Sequence, residues 1–88
     1  MRSIRGEPVE VWLHHGRPAR FVWRGRLYTV MIVLDRRTGP PPPPAQPDPE
    51  APGLEFWVVE ATAQPAVAAT RYELCHDLGT GRWTLSRT

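Results

Sequence analysis

The sequence predicts an all-β fold: a small antiparallel meander of about six strands, curled into a partly open barrel. Apolar and polar residues alternate with a period of two along most of the chain, and helical periodicity is almost absent. Turns containing glycine separate the alternating runs, which is typical of hairpins. The 88 residues are sufficient for one domain, 1–88, and so short a meander removes its exposed edges best by closing on itself.

Two alternating runs near the N-terminus predict the first hairpin. The run 9–14 begins just after Pro8 and places three aliphatic residues on one face, and a turn over 15–18 follows it. In the next run, Phe21 and Trp23 alternate with arginine and valine. We therefore expect two antiparallel strands joined by the turn.

Gly25 divides the second hairpin, whose two-residue turn is either Arg24-Gly25 or Gly25-Arg26. Either turn places odd positions opposite even ones, so that one face combines side chains from both strands. We expect this face to lie in the core. It consists of Phe21, Trp23, Tyr28, Val30, Ile32 and Leu34. The opposite face over 27–33 is also largely apolar, which is typical of a central strand or of a strand in a barrel.

Residues 38–53 are rich in proline and cannot form a helix or a central strand, because proline lacks the backbone donor and fixes φ. We expect a disordered loop that contains a short polyproline II stretch. The alternative interpretation is a ligand for a proline-binding groove.

Three more alternating runs complete the meander. The predicted strands are 54–61, 71–76 and 82–87. In the first of them, Trp57 and Val59 oppose a face of Leu54, Phe56 and Val58. The last two form a hairpin around the glycine-containing loop 77–81.

The arginines are the first candidate for function. The segment 17–37 carries a charge of +5 and the rest of the chain −3. Guanidinium groups beside aromatic rings suit contacts with phosphates and bases. We therefore expect single-stranded nucleic acid to bind this arginine hairpin, with Trp12 or Trp57 as a stacking surface. The arginines are Arg17, Arg20, Arg24, Arg26, Arg36 and Arg37.

Two other interpretations remain open. The arginines could solubilise the rim and form cross-strand ion pairs. Their candidate partners are Glu10, Glu55, Glu60 and Glu73. Alternatively, Trp12 and Trp57 could form an exposed patch for a partner protein or for self-association, whereas we expect Trp23 and Trp83 to lie in the core.

Catalytic, metal-binding and cofactor chemistry is not expected. The pairs His14-His15 and Cys75-His76 consist of adjacent residues, whose side chains point to opposite faces of a strand. Zinc ligands instead converge from spaced pairs such as Cys-x-x-Cys. The chain also has no lysine for a Schiff base, and its serines lie near the termini. We therefore expect a protein that is not an enzyme and holds no metal or cofactor.

The composition also suggests a compartment. The single cysteine, Cys75, excludes an internal disulfide and fits a reducing cytoplasm. No run has the length of a membrane span, and residues 1–10 lack the apolar region of a secretory signal. We expect a cytoplasmic protein without a membrane partner, and the sequence leaves its oligomeric state open.

Several fragments together resemble a known family. They are GEPVEV, RPARFVWRGRLYTV with VLDRR, FWVVEA, and YELCHDLGTGRWTLSR. This combination is similar to a family of short actinobacterial proteins of unknown function, whose module also occurs attached to polymerase-like proteins of the DNA-damage (Y-family) group. The resemblance covers nearly all of the chain except the proline-rich insert and residues 62–70.

The resemblance implies a setting in DNA repair or damage tolerance, and it implies no catalytic residues. Combined with the arginine hairpin, it leads us to expect an accessory module that contacts nucleic acid. The alternative is a docking module that joins repair proteins without contacting DNA. The proline-rich insert departs from the shorter connection expected of the family.

Overall fold

The structure is a computed structural model that describes residues 6–39, 53–63 and 68–87. It contains six strands: β1 (Glu7–His14), β2 (Arg17–Trp23), β3 (Arg26–Gly39), β4 (Leu54–Thr62), β5 (Thr70–Asp77) and β6 (Trp83–Arg87). Each strand pairs antiparallel with the next, and β6 pairs with β1, which closes the sheet into a barrel. The predicted all-β meander and barrel are confirmed.

The boundaries lie close to the expected runs, with three main differences. β1 begins at Glu7 instead of just after Pro8, β2 begins at Arg17, inside the turn expected over 15–18, and β3 is longer than expected. β3 continues through Thr38 and Gly39, which pair with the start of β4, so these two residues are not part of a loop. Of the rest of the expected disordered loop, residues 40–52 lie outside the described residues, whereas Gly53 is described and its carbonyl oxygen accepts a hydrogen bond from the N–H of Leu78 at 3.0 Å. Within the part of the chain that the structure covers, no helix is long and apolar enough to cross a bilayer.

The turn between β2 and β3 is formed by Arg24 and Gly25. Trp23 pairs with Arg26, and the two turn residues have φ angles of 53° and 76°. Positive φ at both positions is characteristic of a type I′ turn, which matches the right-handed twist of the strands it joins. Glycine adopts this conformation without steric penalty. The structure therefore selects the first of the two predicted turns.

Two bulges in β3 change its side-chain alternation. The register with β4 shifts between Val30 and Ile32 and again between Val33 and Asp35. As a result, Val33 packs against the core, whereas Ile32 and Leu34 are 50% and 42% exposed. The expectation that Ile32 and Leu34 lie in the core was wrong, because a period of two holds only where no extra residue enters the strand.

The centre of the barrel is aromatic. The rings of Phe21 and Tyr28 stack at 5.1 Å, and Tyr72 lies edge-on to Phe21 and Trp23 at 5.8 and 5.6 Å. Aromatic pairs at such distances and angles stabilise a core beyond the area they bury. The buried apolar residues are Phe21, Trp23, Trp57, Val59, Ala61, Tyr72, Leu74 and Leu85.

The two tryptophans expected in the core differ. Trp23 is 7% exposed, which confirms the expectation. Trp83 is only half-buried, packs against the edge of the core, and stacks on His76 with ring centroids 4.1 Å apart. It therefore covers one end of the barrel instead of filling its centre.

The barrel opens at the end that carries the β1–β2 turn. β6 pairs with Glu7–Val9 of β1, and β2 pairs with β3 no further than Thr29. Beyond these points a groove of about 640 Å³ separates β1 from β6, and a cleft of about 440 Å³ separates the β1–β2 turn from β3. The β1–β2 hairpin consequently projects between two depressions.

Candidate nucleic-acid interface

A bulge decides which side of the barrel Arg17 occupies. Trp12 pairs with Arg20, the register shifts just beyond Trp12, and His14 then pairs with Arg17. Side chains directly opposite each other on antiparallel strands share a face. In an uninterrupted strand, Arg17 would point to the same side as Phe21, which is inside. The extra residue in β2 turns Arg17 outward, to the side of Arg20.

The side chains on the outside of β1, β2 and the start of β3 form a continuous surface, which we call the outer face. It consists of Glu10, Trp12, His14, Arg17, Arg20, Val22, Leu27 and Thr29. Trp12 is 47% exposed and lies directly opposite Arg20.

The two arginines of the outer face are not neutralised by any residue in the described part of the chain. Neither Arg17 nor Arg20 forms an ion pair with any residue that the structure describes, and neither does Glu10 on the same face. An accessible indole beside accessible guanidinium groups is an arrangement that suits single-stranded nucleic acid.

Arg24, in contrast, is held by Glu7. Its Nε and Nη2 atoms donate to the two carboxylate oxygens of Glu7 at 2.8 and 2.5 Å, and the indole Nε1 of Trp23 donates to Oε1 of Glu7 at 3.0 Å. The hydrogen bond from Arg24, followed by that from Trp23, lowers the pKa of Glu7. The Arg24 guanidinium also lies 4.7 Å from the centre of the Trp23 ring. Its charge is therefore already compensated.

Arg36 is neutralised in a similar way on the β3–β4 hairpin. Its Nη2 lies 2.5 Å from Oε2 of Glu55, and its guanidinium lies 5.2 Å from the centre of the Trp57 ring. This hydrogen bond from Arg36 is the main reason that the pKa of Glu55 is lowered. Nδ1 of His76 lies 3.6 Å from the other oxygen of Glu55, so that these polar groups cover the open end of the core.

Arg37 points to the other side of β3. Its Nη2 lies 3.0 Å from Oε2 of Glu73, and its guanidinium lies 5.8 Å from the centre of the Phe56 ring. Arg26, at the start of β3, forms no ion pair with a described residue, but it lies beside the β2–β3 turn and lines a small cavity with Tyr28 and Tyr72. The structure thus does not bring the six predicted arginines together.

The expected patch of Trp12 and Trp57 is not formed. Trp57 is only 5% exposed, because the face of β4 that carries it points into the core together with Val59 and Ala61. Its indole Nε1 lies 3.4 Å from Oε1 of Glu55, so that its polar atom is also engaged. Trp12 is the tryptophan that remains accessible as a stacking surface.

The expectation of cross-strand ion pairs is partly confirmed. Of the four glutamates expected to form such pairs, Glu55 pairs with Arg36 and Glu73 with Arg37. Glu60 lies 3.5 Å from Arg71. The sequence reasoning missed Glu7, the partner of Arg24. No local pattern signals this contact, because the closure of the barrel brings residues 7 and 24 together.

The described residues contain no group of three or more His, Cys, Asp or Glu side chains that could hold a metal ion. The free thiol of Cys75 is half-buried, and this burial raises its pKa, which disfavours the nucleophilic thiolate.

The family model described as "Domain of unknown function (DUF6504)" matches residues 1–88. No curated protein and no solved structure matches the chain. Because the match covers the whole chain, the protein belongs to the DUF6504 family.

Proposed function

We propose that this domain is a non-enzymatic accessory module that binds single-stranded nucleic acid on its outer face, in DNA repair or damage tolerance. The observation that carries the proposal is the register of β1 and β2, which places the exposed Trp12 opposite Arg20, a residue with no ion-pair partner in the described part of the chain. The setting rests on the resemblance to actinobacterial proteins whose module accompanies Y-family polymerase-like proteins.

The proposed contacts follow from the chemistry of the side chains. Arg17 and Arg20 bind phosphates, because a guanidinium offers several donors to phosphate oxygens and stays charged. An unpaired base stacks on Trp12. Neighbouring strands lie about 4.8 Å apart, so that Trp12 and Arg20 can contact the base and the phosphate of one short stretch of the ligand. Arg24, Arg36 and Arg37, whose charges are compensated by glutamates, are not part of this interface.

A second candidate function is protein docking, and it is favoured by a separate observation. Several large apolar side chains are exposed along β3, beyond the outer face. They are Met31, Ile32 and Leu34, with exposed fractions of 60%, 50% and 42%. An exposed aliphatic row of this kind is typical of a surface that contacts another protein.

A salt series distinguishes the two functions. Fluorescence anisotropy of a labelled single-stranded oligonucleotide should report binding that weakens as salt is raised, with a slope of about −1.4 in log K against log salt if two phosphates are neutralised. A duplex of the same sequence should bind more weakly, because its paired bases cannot stack on Trp12. Lack of binding at low salt would exclude the nucleic-acid function and leave protein docking.

A further inference from the structure

Among the residues that the structure describes, none pairs with one backbone edge of part of β1. Residues Glu10–His14 pair with β2 on one side, but on the other side β6 reaches only as far as Val9. The groove between β1 and β6 runs alongside this segment. An unpaired strand edge is a template for another strand, and the segment lacks the lysine or proline that usually protects such edges.

The groove has a structural cause in the loop before β6. The N–H of Asp77 donates to the carbonyl oxygen of Arg82 at 2.8 Å, and the N–H of Gly81 donates to that of Asp77 at 2.7 Å. Gly81 has a φ of 79°, which permits this tight return. These bonds hold the residues before β6 against β5 and away from β1, so that β6 does not occupy the edge of β1 beyond Val9.

Two prolines show which backbone groups face the open edge. Pro8 lies opposite Thr84 of β6, and Pro18 lies opposite Leu13 of β1. Directly opposite residues of an antiparallel ladder alternate between hydrogen-bonded pairs, whose backbone groups point toward each other, and non-hydrogen-bonded pairs, whose backbone groups point away. Because proline has no N–H, both of these pairs are of the non-hydrogen-bonded type. Leu13 therefore directs its N–H and C=O away from β2, and so does Val11 two residues earlier. Both prolines lead independently to the same assignment.

We propose that this edge pairs with the same edge of a second copy of the chain, antiparallel and with the two-fold axis at Trp12. The segment EVWLH is self-complementary in this register. Glu10 lies opposite His14 of the second copy, Val11 lies opposite Leu13, and the two Trp12 side chains face each other. The N–H and C=O groups of Val11 and Leu13 then form hydrogen bonds between the copies, in the isologous arrangement of a two-fold dimer.

The lengths of the strands also fit this arrangement. The second copy contributes its residues 10–14 and then turns away at His15 and Gly16, which lie opposite the positions where β6 already occupies the edge. The dimer also covers Leu13, which is 51% exposed in the single chain. A partner strand of greater length would collide with Trp83, so that a short segment ending in a turn suits the gap.

The dimer goes beyond the proposed function and does not depend on it. It joins two outer faces into one sheet, with the two Trp12 rings at the centre and Arg20 on either side. Dimerisation is measured without nucleic acid, so that failure of one proposal leaves the other intact.

The first test uses sedimentation equilibrium of the full chain up to millimolar concentration, where we expect a reversible dimer. Glu10→Arg removes the carboxylate opposite His14 in both symmetric pairs and should weaken the dimer about tenfold. Adding His14→Glu places opposite charges in both pairs and should restore the dimer. A wild-type chain that remains monomeric, or a double variant as weak as Glu10→Arg alone, would overturn the proposal.

The second test fixes the register by cross-linking. In the register proposed, the two residues at position 12 form a close, non-hydrogen-bonded pair about 4.5 Å apart between Cα atoms, which suits a disulfide. Trp12→Cys in a Cys75→Ser background should therefore cross-link under mild oxidation. The matched control is Glu10→Cys in the same background, whose two thiols would lie about 13 Å apart along the strands. Equal cross-linking of the two variants would overturn the register.

Discussion

The β1–β2 and β3–β4 hairpins carry the same residue types in opposite states. Each has a tryptophan near two arginines. On β1–β2, Trp12 is 47% exposed and Arg20 has no acidic partner among the described residues. On β3–β4, Trp57 is 5% exposed and Arg36 is paired with a glutamate.

The difference arises from the neighbours that each strand receives. β4 and β5 supply Glu55 and Glu73 to the arginines of β3, whereas β1 supplies Trp12 and His14 to those of β2. The number of arginines in a segment therefore does not measure its available positive charge. The strand that lies opposite decides whether a guanidinium stabilises the fold or remains free for a ligand.

The largest difference is expected between the two tryptophans. Trp57→Ala should lower the free energy of unfolding by about 3–5 kcal/mol, because it leaves a cavity in the core. Trp12→Ala should change it by less than about 0.5 kcal/mol, as is usual for surface substitutions, while weakening oligonucleotide binding by roughly 1–3 kcal/mol through loss of stacking. Urea unfolding and anisotropy titrations measure the two effects. Equal losses of stability would contradict the comparison.

The arginines of the two hairpins should likewise differ in their contribution to nucleic-acid binding when their charges are removed in pairs. Arg17→Gln with Arg20→Gln should reduce the slope of log K against log salt by about 1.4, one phosphate contact for each residue. Arg36→Gln with Arg37→Gln changes the net charge equally and is the matched control. It should leave the slope almost unchanged, because those charges are already compensated. A similar decrease of the slope in both double variants would indicate a general effect of net charge.

The bulges of β3 predict a smaller contrast between adjacent residues. Val33→Ala should destabilise the protein by about 1–2 kcal/mol, since its side chain packs against the core. Ile32→Ala should have an effect below about 0.5 kcal/mol, because Ile32 is 50% exposed. Thermal or urea unfolding of the two variants tests the register directly. A larger loss of stability for Ile32→Ala than for Val33→Ala would indicate that the side-chain alternation of β3 is not interrupted by bulges.

The smallest expected effect concerns Glu55 and pH. The folded state lowers the pKa of Glu55 below its ordinary value of about 4.5, so that its stabilisation is present above that value and is lost as the pH falls through the lowered pKa. Glu55→Gln should therefore cost about 1 kcal/mol at neutral pH and reduce the dependence of stability on pH in the acid range. Glu10→Gln, on an exposed residue that forms no ion pair with a described residue, is the control and should change neither quantity. Urea unfolding at several pH values provides the measurement.

Local patterns were sufficient for much of the fold. The alternation of apolar and polar residues predicted six strands close to their observed bounds, because side-chain direction along a regular strand follows from the backbone itself. The glycine between β2 and β3 limited the turn to two choices, of which the structure adopts Arg24-Gly25. The core positions of Phe21 and Trp23 followed from the same alternation.

The alternation did not predict where it would be interrupted. An extra residue in β2 turns Arg17 outward, and extra residues in β3 place Val33 instead of Ile32 against the core. Nothing in the local composition marks the positions of these extra residues. Nor could it indicate that Trp57 is buried, since either face of its strand was apolar enough to be the inner one.

The sequence by itself determined that this protein is a small β meander with its arginines concentrated in one part of the chain. The tertiary structure alone decided which arginines are neutralised, which tryptophan is accessible and which strand edge stays open. The physical reason is that these properties depend on pairs of residues brought together by strand register and barrel closure, such as Glu7 with Arg24 and Trp12 with Arg20. A local pattern determines the direction in which a side chain points, whereas the paired strand determines which residues that side chain contacts.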